Sequence, residues 1–288
     1  MFTDRLAAAA ESVQEQLDQS LEAVPGNLGE AMRHTTQGGK RLRAFLVLES
    51  AQLHGIPEKQ ALWPAMAIEA MHAYSLVHDD LPCMDNDSLR RGRPTIHVKW
   101  DEATAVLAGD ALQALAFELA AHPSCSADPM VRAELTHSLA AAAGGRGMVL
   151  GQAQDIAAET ASTPLNLDAI KGLQARKTGA LFQWAATAGP RMAHDDTTAL
   201  LRFATALGLA FQIADDILDV EGDADKAGKR LQKDGAASKA TFVTLLGLDA
   251  AKQRAGDLTA EACAALEPYG AKGNSLRQAA QFVIARDI

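Results

Sequence analysis

The chain has 288 residues, 48% hydrophobic and 22% charged, with 27 Lys and Arg against 36 Asp and Glu for a formal net charge of −9. That length and apolar content support a large hydrophobic core and exclude a disordered chain or a disulfide-stapled miniprotein. The negative balance excludes nucleic acid as a bulk partner, which needs a net basic face, but leaves room for a small phosphorylated substrate met by local cations.

Residues 6–10 form a short apolar run, preceded by Asp4 and stopped by Glu11, which is unlike a leader peptide. Asp110 interrupts the most apolar stretch, 103–121, so no stable membrane anchor is expected. Cys83, Cys125 and Cys263 are widely spaced with no Cys-x-x-Cys pair, and a reducing, cytoplasmic location is expected. Apolar residues recur at three-and-four spacing, as in Leu62, Met66, Ala70, Ala73 and Val77, and again in Leu200, Phe203, Ala204, Leu207, Phe211, Ala214 and Leu218. Breaks are expected at Gly38-Gly39, Gly55-Ile56-Pro57, Gly92-Arg93-Pro94, His122-Pro123, Gly144-Gly145, Thr163-Pro164, Gly189-Pro190, Gly222-Asp223 and Tyr269-Gly270. Between them lie about ten segments of roughly 15 to 28 residues, the pattern of an all-α bundle forming one domain over 1–288. Two long connections, 84–98 and 222–237, read as functional loops.

In Gly38-Gly39-Lys40-Arg41-Leu42-Arg43 the glycines let a backbone approach an anion, and Lys40 and Arg43, three apart, share a helix face. Asp79-Asp80-Leu81-Pro82-Cys83-Met84-Asp85 closes an apolar helix. On an ideal helix Asp79 and Asp85 sit about 120° from sharing a face, but Pro82 must loosen the helix and can swing Asp85 back beside Asp79. Asp87 adds charge, and then the sign flips at Arg90, Arg91 and Arg93. Acid followed at once by base is what a metal–phosphate clamp needs. Lys177, Lys229 and Lys239 are further cations in turn-rich or polar settings. In Asp215-Asp216-Ile217-Leu218-Asp219 the first and last carboxylates lie one helical turn apart, where a cation is their natural partner. Oxygen ligands without His or Cys favour Mg²⁺ over zinc.

Gly39-Lys40-Arg41-Leu42-Arg43, His72-Ala73-Tyr74-Ser75-Leu76-Val77-His78-Asp79-Asp80, Arg90-Arg91-Gly92, Gly151-Gln152, Lys177-Thr178-Gly179-Ala180-Leu181 and Phe211-Gln212 before the second acidic cluster occur in an order, over roughly 35–247, that resembles the trans-isoprenyl diphosphate synthases. The likeness is nearest to their bacterial farnesyl diphosphate (geranyltranstransferase) branch. It implies an isoprenoid-synthase-type bundle of about ten or more helices around a central cavity, working as a homodimer. It further implies three Mg²⁺ ions, with metal candidates Asp79, Asp80, Asp85, Asp215, Asp216 and Asp219. Arg90, Lys177 and Lys229 would hold the allylic diphosphate, dimethylallyl or geranyl. Lys40, Arg43, His72 and Arg91 would hold isopentenyl diphosphate, with Lys239 a further substrate contact. Thr178 and Gln212 would face the carbocation, and Tyr74 and Ser75 would set product length, fifteen carbons being expected.

Geranyl and geranylgeranyl diphosphate are the alternative products within the same family. A di-iron carboxylate bundle is the remote rival, because Glu69-Ala70-Met71-His72 and Glu134-Leu135-Thr136-His137 both have Glu-x-x-His spacing. That rival leaves both acidic clusters and Lys40/Arg43 without a role. A terpene cyclase, which would share the first acidic motif, needs a different second motif and an aromatic-rich pocket, and only 5% of these residues are aromatic.

Overall fold

The computed structural model describes residues 2–221 and 240–285, and these are helical almost throughout. Lys229, Lys239 and the connection 222–237 therefore lie outside the described residues. The chain forms two compact units, Met1–Leu139 with Ala188–Asp195, and Ala140–Thr187 with Asp196–Ile288.

The first unit is built on α1 (Phe2–Leu21), α2 (Gly26–Thr36), α3 (Leu42–Leu53), α4 (Glu58–Asp79), the four-residue α5 (Ile96–Lys99) and α6 (Glu102–Ala121), with α7 (Pro129–Ala143) following. α4 is its centre. It buries side chains all around, from Ala61 through Ile68 and Met71 to Val77, and so packs on both α3 and α6. α6 turns Ala105, Ala108, Leu112 and Ala116 inward. Small residues at this spacing let two helix backbones approach closely, and each larger side chain buried beside them contributes about 1.5–3 kcal/mol. Asp101 begins α6 by accepting the Thr104 N–H at 2.6 Å. α6 is long and apolar enough on length and composition to cross a membrane, but it carries Asp110 and Glu118 and packs against α4 and α2.

The second unit holds α8 (Met148–Glu159), α9 (Leu167–Gln174), a π-helical turn (Ala175–Gly179), most of α10 (Ala180–Met192), α11 (Thr198–Glu221), α12 (Phe242–Leu246), α13 (Leu248–Ala265), a 3₁₀ segment (Glu267–Gly273) and α14 (Asn274–Ile284). α11 and α13 form its main helix pair. α11 buries Leu200, Phe203, Leu207, Ile213 and Ile217, the stripe read from the sequence. α12 starts on a reciprocal cap, with Thr241 accepting the Thr244 N–H at 3.1 Å and Thr244 accepting the Thr241 N–H at 2.8 Å.

Three sequence expectations need correction. Many helices are shorter than 15 residues, because breaks inside the expected segments divide them. Gly189-Pro190 does not end a helix. It lies in the last turns of α10, where the Ser50 hydroxyl accepts the Gly189 N–H at 3.1 Å. The 84–98 connection is not a plain loop, since β1 (Leu89–Arg90) and β2 (Arg93–Pro94) pair antiparallel with Arg90 opposite Arg93. Arg91 and Gly92 form the two-residue link at φ +53° and +72°, the left-handed backbone that type I′ hairpin loops require.

Candidate active site

In the first unit the acidic motif straddles the end of α4. Asp79 is the last helical residue and Asp80 the cap. Past Asp80 the chain leaves the helix and turns back through Pro82, so that the Asp85 N–H donates to the Asp79 carbonyl at 2.9 Å. Asp79 and Asp85 thus stand at the two ends of one backbone turn. Asp80 points elsewhere. Its carboxylate is buried and grips Arg90 through two atoms, with Nε at 2.8 Å from Oδ1 and Nη2 at 2.6 Å. Burial holds the Asp80 carboxyl above the usual aspartate value, and Arg90 offsets only part of that rise. The pair fixes Arg90 at the start of the ribbon.

Arg91 follows on the ribbon turn, and its Nη1 donates to the Gly38 carbonyl at 3.2 Å. Its guanidinium lies against Gly39, 2.7 Å from where a Cβ there would sit, and Gly39 itself holds φ +87°, a backbone that favours glycine. Lys40 is exposed and Arg43 is half-buried in the first turn of α3. His72 lies among these cations. Burial first, and then Arg43, Arg91, Arg90 and Arg41, hold its imidazole well below the usual histidine value, so it is neutral at pH 7. Two residues further along α4 sits Tyr74, buried, its ring edge-on to His78 at 5.1 Å. Burial and the Asp79 and Asp110 charges push its phenol up, while the Gln113 side chain reaches it as a hydrogen-bond partner. Ser75 beside it turns its hydroxyl back to the His72 carbonyl at 2.8 Å.

In the second unit Lys177 and Thr178 sit on the π-helical turn, an extra residue in the helical ladder that re-aims side chains and recurs at functional sites. Lys177 Nζ pairs with Asp155 at 2.7 Å. α8 comes so close that a Cβ on Gly151 would lie 2.3 Å from the Lys177 backbone nitrogen. A hydrogen-bonded chain then runs from Thr178 to Gln212 (3.2 Å), from Gln212 to Asp216 (3.0 Å), and from the other Asp216 oxygen to the Phe242 N–H (2.8 Å). Asp216 is buried, while Asp215 and Asp219, on the same helix, are half-buried.

Each Asp-Asp pair is therefore split in the same way. The second member, Asp80 or Asp216, is buried and holds a neighbour, and the outer carboxylates lie nearer the surface. Among the described residues no group of three or more His, Cys, Asp or Glu converges into a closed metal cage. Paired hard oxygens with open positions fit Mg²⁺, which takes its remaining ligands from water and substrate phosphates. The Glu-x-x-His pairs do not supply a di-iron set, because Glu69 pairs with Arg41 at 3.2 Å and Glu134 with Arg191 at 3.3 Å.

Comparison with known proteins places this arrangement. The polyprenyl synthetase family model matches residues 25–269. The chain belongs to the polyprenyl synthetase family. It is a prenyltransferase. It is 42% identical to the farnesyl diphosphate synthase of Haemophilus influenzae, over 99% of this chain and 98% of that one. An apo FPP/GFPP synthase from Zymomonas mobilis superposes with a TM-score of 0.87 at 45% identity, covering 96% and 98% of the two chains. A Helicobacter pylori geranyltransferase, solved with magnesium and isoprenyl diphosphate, superposes with a TM-score of 0.81 at 33% identity, covering 98% and 96%.

Within this polyprenyl synthetase, sequence reasoning missed Asp155, Arg41 and the division of labour inside each Asp-Asp pair. The signal for Asp155 was present: it stands one helical turn after Gly151, in Gly151-Gln152-Ala153-Gln154-Asp155. Nothing in the spelling of Asp79-Asp80 distinguishes an outward from an inward carboxylate.

Proposed function

We propose that this prenyltransferase is a magnesium-dependent farnesyl diphosphate synthase. It joins isopentenyl diphosphate head-to-tail to dimethylallyl diphosphate and then to geranyl diphosphate. Tyr74 carries the product length. It is buried on α4 five residues before Asp79, about one and a half turns deeper than the acidic end, where a bulky ring closes the space for a growing chain.

Asp79, Asp85, Asp215 and Asp219 are the carboxylates that would hold Mg²⁺, with three ions expected. Bound Mg²⁺ supplies Lewis-acid neutralisation of the leaving diphosphate. Arg90 and Lys177, aimed by Asp80 and Asp155, hold the allylic diphosphate. Lys40, Arg43, Arg91 and neutral His72 hold isopentenyl diphosphate. The Thr178 and Gln212 oxygens present dipoles to the allylic cation, which the isopentenyl double bond attacks. The proton then lost goes to the departing diphosphate, no side-chain base being assigned. Apolar surroundings exclude water, which would turn the cation into an alcohol.

The family match runs through residues of both compact units, which supports one catalytic domain over 1–288. A homodimer in the cytoplasm is the proposed working form. Exposed Val106 and Leu107 on α6 offer apolar surface for a second copy, and Cys83, Cys125 and Cys263 are free thiols. The test is product analysis after mixing the protein with Mg²⁺, isopentenyl and dimethylallyl diphosphate. A fifteen-carbon product, abolished by EDTA, is expected. A ten- or twenty-carbon product would reassign the chain length, and no condensation would overturn the reading.

A further inference from the structure

Glu69 lies in the middle of α4 and takes no part in the assignments above, although the Glu69-x-x-His72 spacing is conspicuous in the sequence. Its carboxylate is almost wholly buried and divides between two partners. Oε1 accepts the Ala44 N–H at 3.0 Å, and Oε2 accepts Arg41 Nη1 at 3.2 Å. The Ala44 N–H belongs to the first turn of α3, whose amides have no partner within their own helix. Glu69 thus caps α3 from a different helix.

Arg41 is equally buried and sits immediately before α3 at φ +51°, a left-handed backbone that a non-glycine residue keeps only when its surroundings hold it there. Three contacts do so: Glu69, Gln14 Oε1 at 2.6 Å from Nη2, and the Thr36 carbonyl. The residues flanking this locked position are the cations. Lys40 precedes Arg41, Arg43 follows by two, and Arg91 docks on Gly38 and Gly39 just upstream. His72 is one turn beyond Glu69 on the same face of α4.

We infer that Glu69, acting through Arg41 and the Ala44 N–H, is the positioning residue that sets the geometry of the cationic cup formed by Lys40, Arg43, His72 and Arg91. The inference rests on the reading of that cup as the isopentenyl diphosphate site. A buried ion pair is weak as a stabilising device, since an apolar pair of similar volume is often as stable. What such a pair does supply is a fixed register, here that of the α3 N-terminus.

Charge and geometry predict opposite signs, which makes the inference sharp. If Glu69 only balanced charge, removing its negative charge would make the cup more attractive to a diphosphate. If it positions the cup, its removal weakens binding.

The experiment is steady-state kinetics on the full-length protein with Mg²⁺, varying isopentenyl and geranyl diphosphate separately, for the native chain, Glu69→Gln, Glu69→Asp and Arg43→Ala, alongside thermal melts. The expected result for Glu69→Gln is a KM for isopentenyl diphosphate raised roughly ten- to a hundredfold, the range for losing a group that orients a ligand. KM for geranyl diphosphate stays within about twofold, and kcat at saturation changes little, the loss being one of binding. Glu69→Asp, which keeps the charge, recovers part of the loss. The double variant Arg41→Met with Glu69→Met keeps the volume buried, and it is expected to fold with the same raised KM. An unchanged or lowered KM for isopentenyl diphosphate in Glu69→Gln, or equal rises for both substrates, would overturn the inference if Arg43→Ala raises the isopentenyl KM. If Arg43→Ala leaves that KM unchanged, the reading of the cup itself fails, and the inference with it.

Discussion

Asp80 and Asp216 each follow another aspartate, and each is turned inward by a specific partner. For Asp80 that partner is Arg90, whose side chain is 28% exposed, so the bidentate pair is screened on one side and Asp80→Asn should cost only about 1–2 kcal/mol. Its kinetic signature should be a weaker grip on the allylic substrate with an unaltered Mg²⁺ requirement. Asp79→Asn should instead raise the Mg²⁺ concentration for half-maximal rate at least roughly tenfold, as loss of a metal contact does. Mg²⁺ titrations of both variants check this, and equal shifts would erase the distinction. His72 gives the pH counterpart. Its folded value lies well below the ordinary 6.5, so an unfolded chain takes up a proton that the folded chain refuses as the pH drops below about 6.5. The stability it contributes is present above that pH and lost on acidification. Urea unfolding from pH 8 to pH 5 should show a smaller acid loss in His72→Gln than in the native chain.

At the scale of elements, the α4 terminus and the π-helical turn each hold residues to which the proposed function gives a role. The Gly151 Cα position faces the Lys177 backbone, which has no flexible end to move aside. Gly151→Ala should therefore push the turn away, cost about 1–3 kcal/mol as overpacking does, and lower activity by misplacing Lys177 and Thr178. A melt combined with kcat/KM for geranyl diphosphate checks it, and normal activity at lowered stability would mean the turn tolerates the shift. On α4, Tyr74→Ala removes the buried ring and should lengthen the product beyond fifteen carbons, as read by chromatography of the dephosphorylated alcohols. The acidic helix ends were legible because α4 and α11 have unbroken apolar periodicity up to Asp79 and through Asp219. The bend at Pro82 was legible because proline cannot continue the ladder. The β1–β2 ribbon was not. Two-residue strands have no periodicity, and Arg91-Gly92 is a weaker turn signal than Asn-Gly. The π turn was equally hidden, since one extra residue in a helix leaves the apolar spacing almost unchanged.

For the molecule as a whole, helical class and the chain order of the motifs could be read from residues alone. The partition into two compact units could not, because both are helical and the chain passes between them more than once. Asp79 and Asp85 belong to one unit, Asp215 and Asp219 to the other. The proposed function assigns all four to one event, departure of the allylic diphosphate, and that assignment has a kinetic consequence independent of any distance. Groups that act as a unit on one transition state are strongly non-additive: once one is gone, the rest have little left to stabilise. Asp79→Asn and Asp215→Asn should each lower kcat by roughly a hundredfold or more, in the range for losing one element of electrostatic transition-state stabilisation. The double variant should then be only slightly worse than the poorer single one. Single-turnover rates at saturating Mg²⁺ and substrates measure all three. Costs that multiply would mean that the two acidic motifs serve separate steps, and the single-event mechanism would have to be abandoned even if farnesyl diphosphate is made.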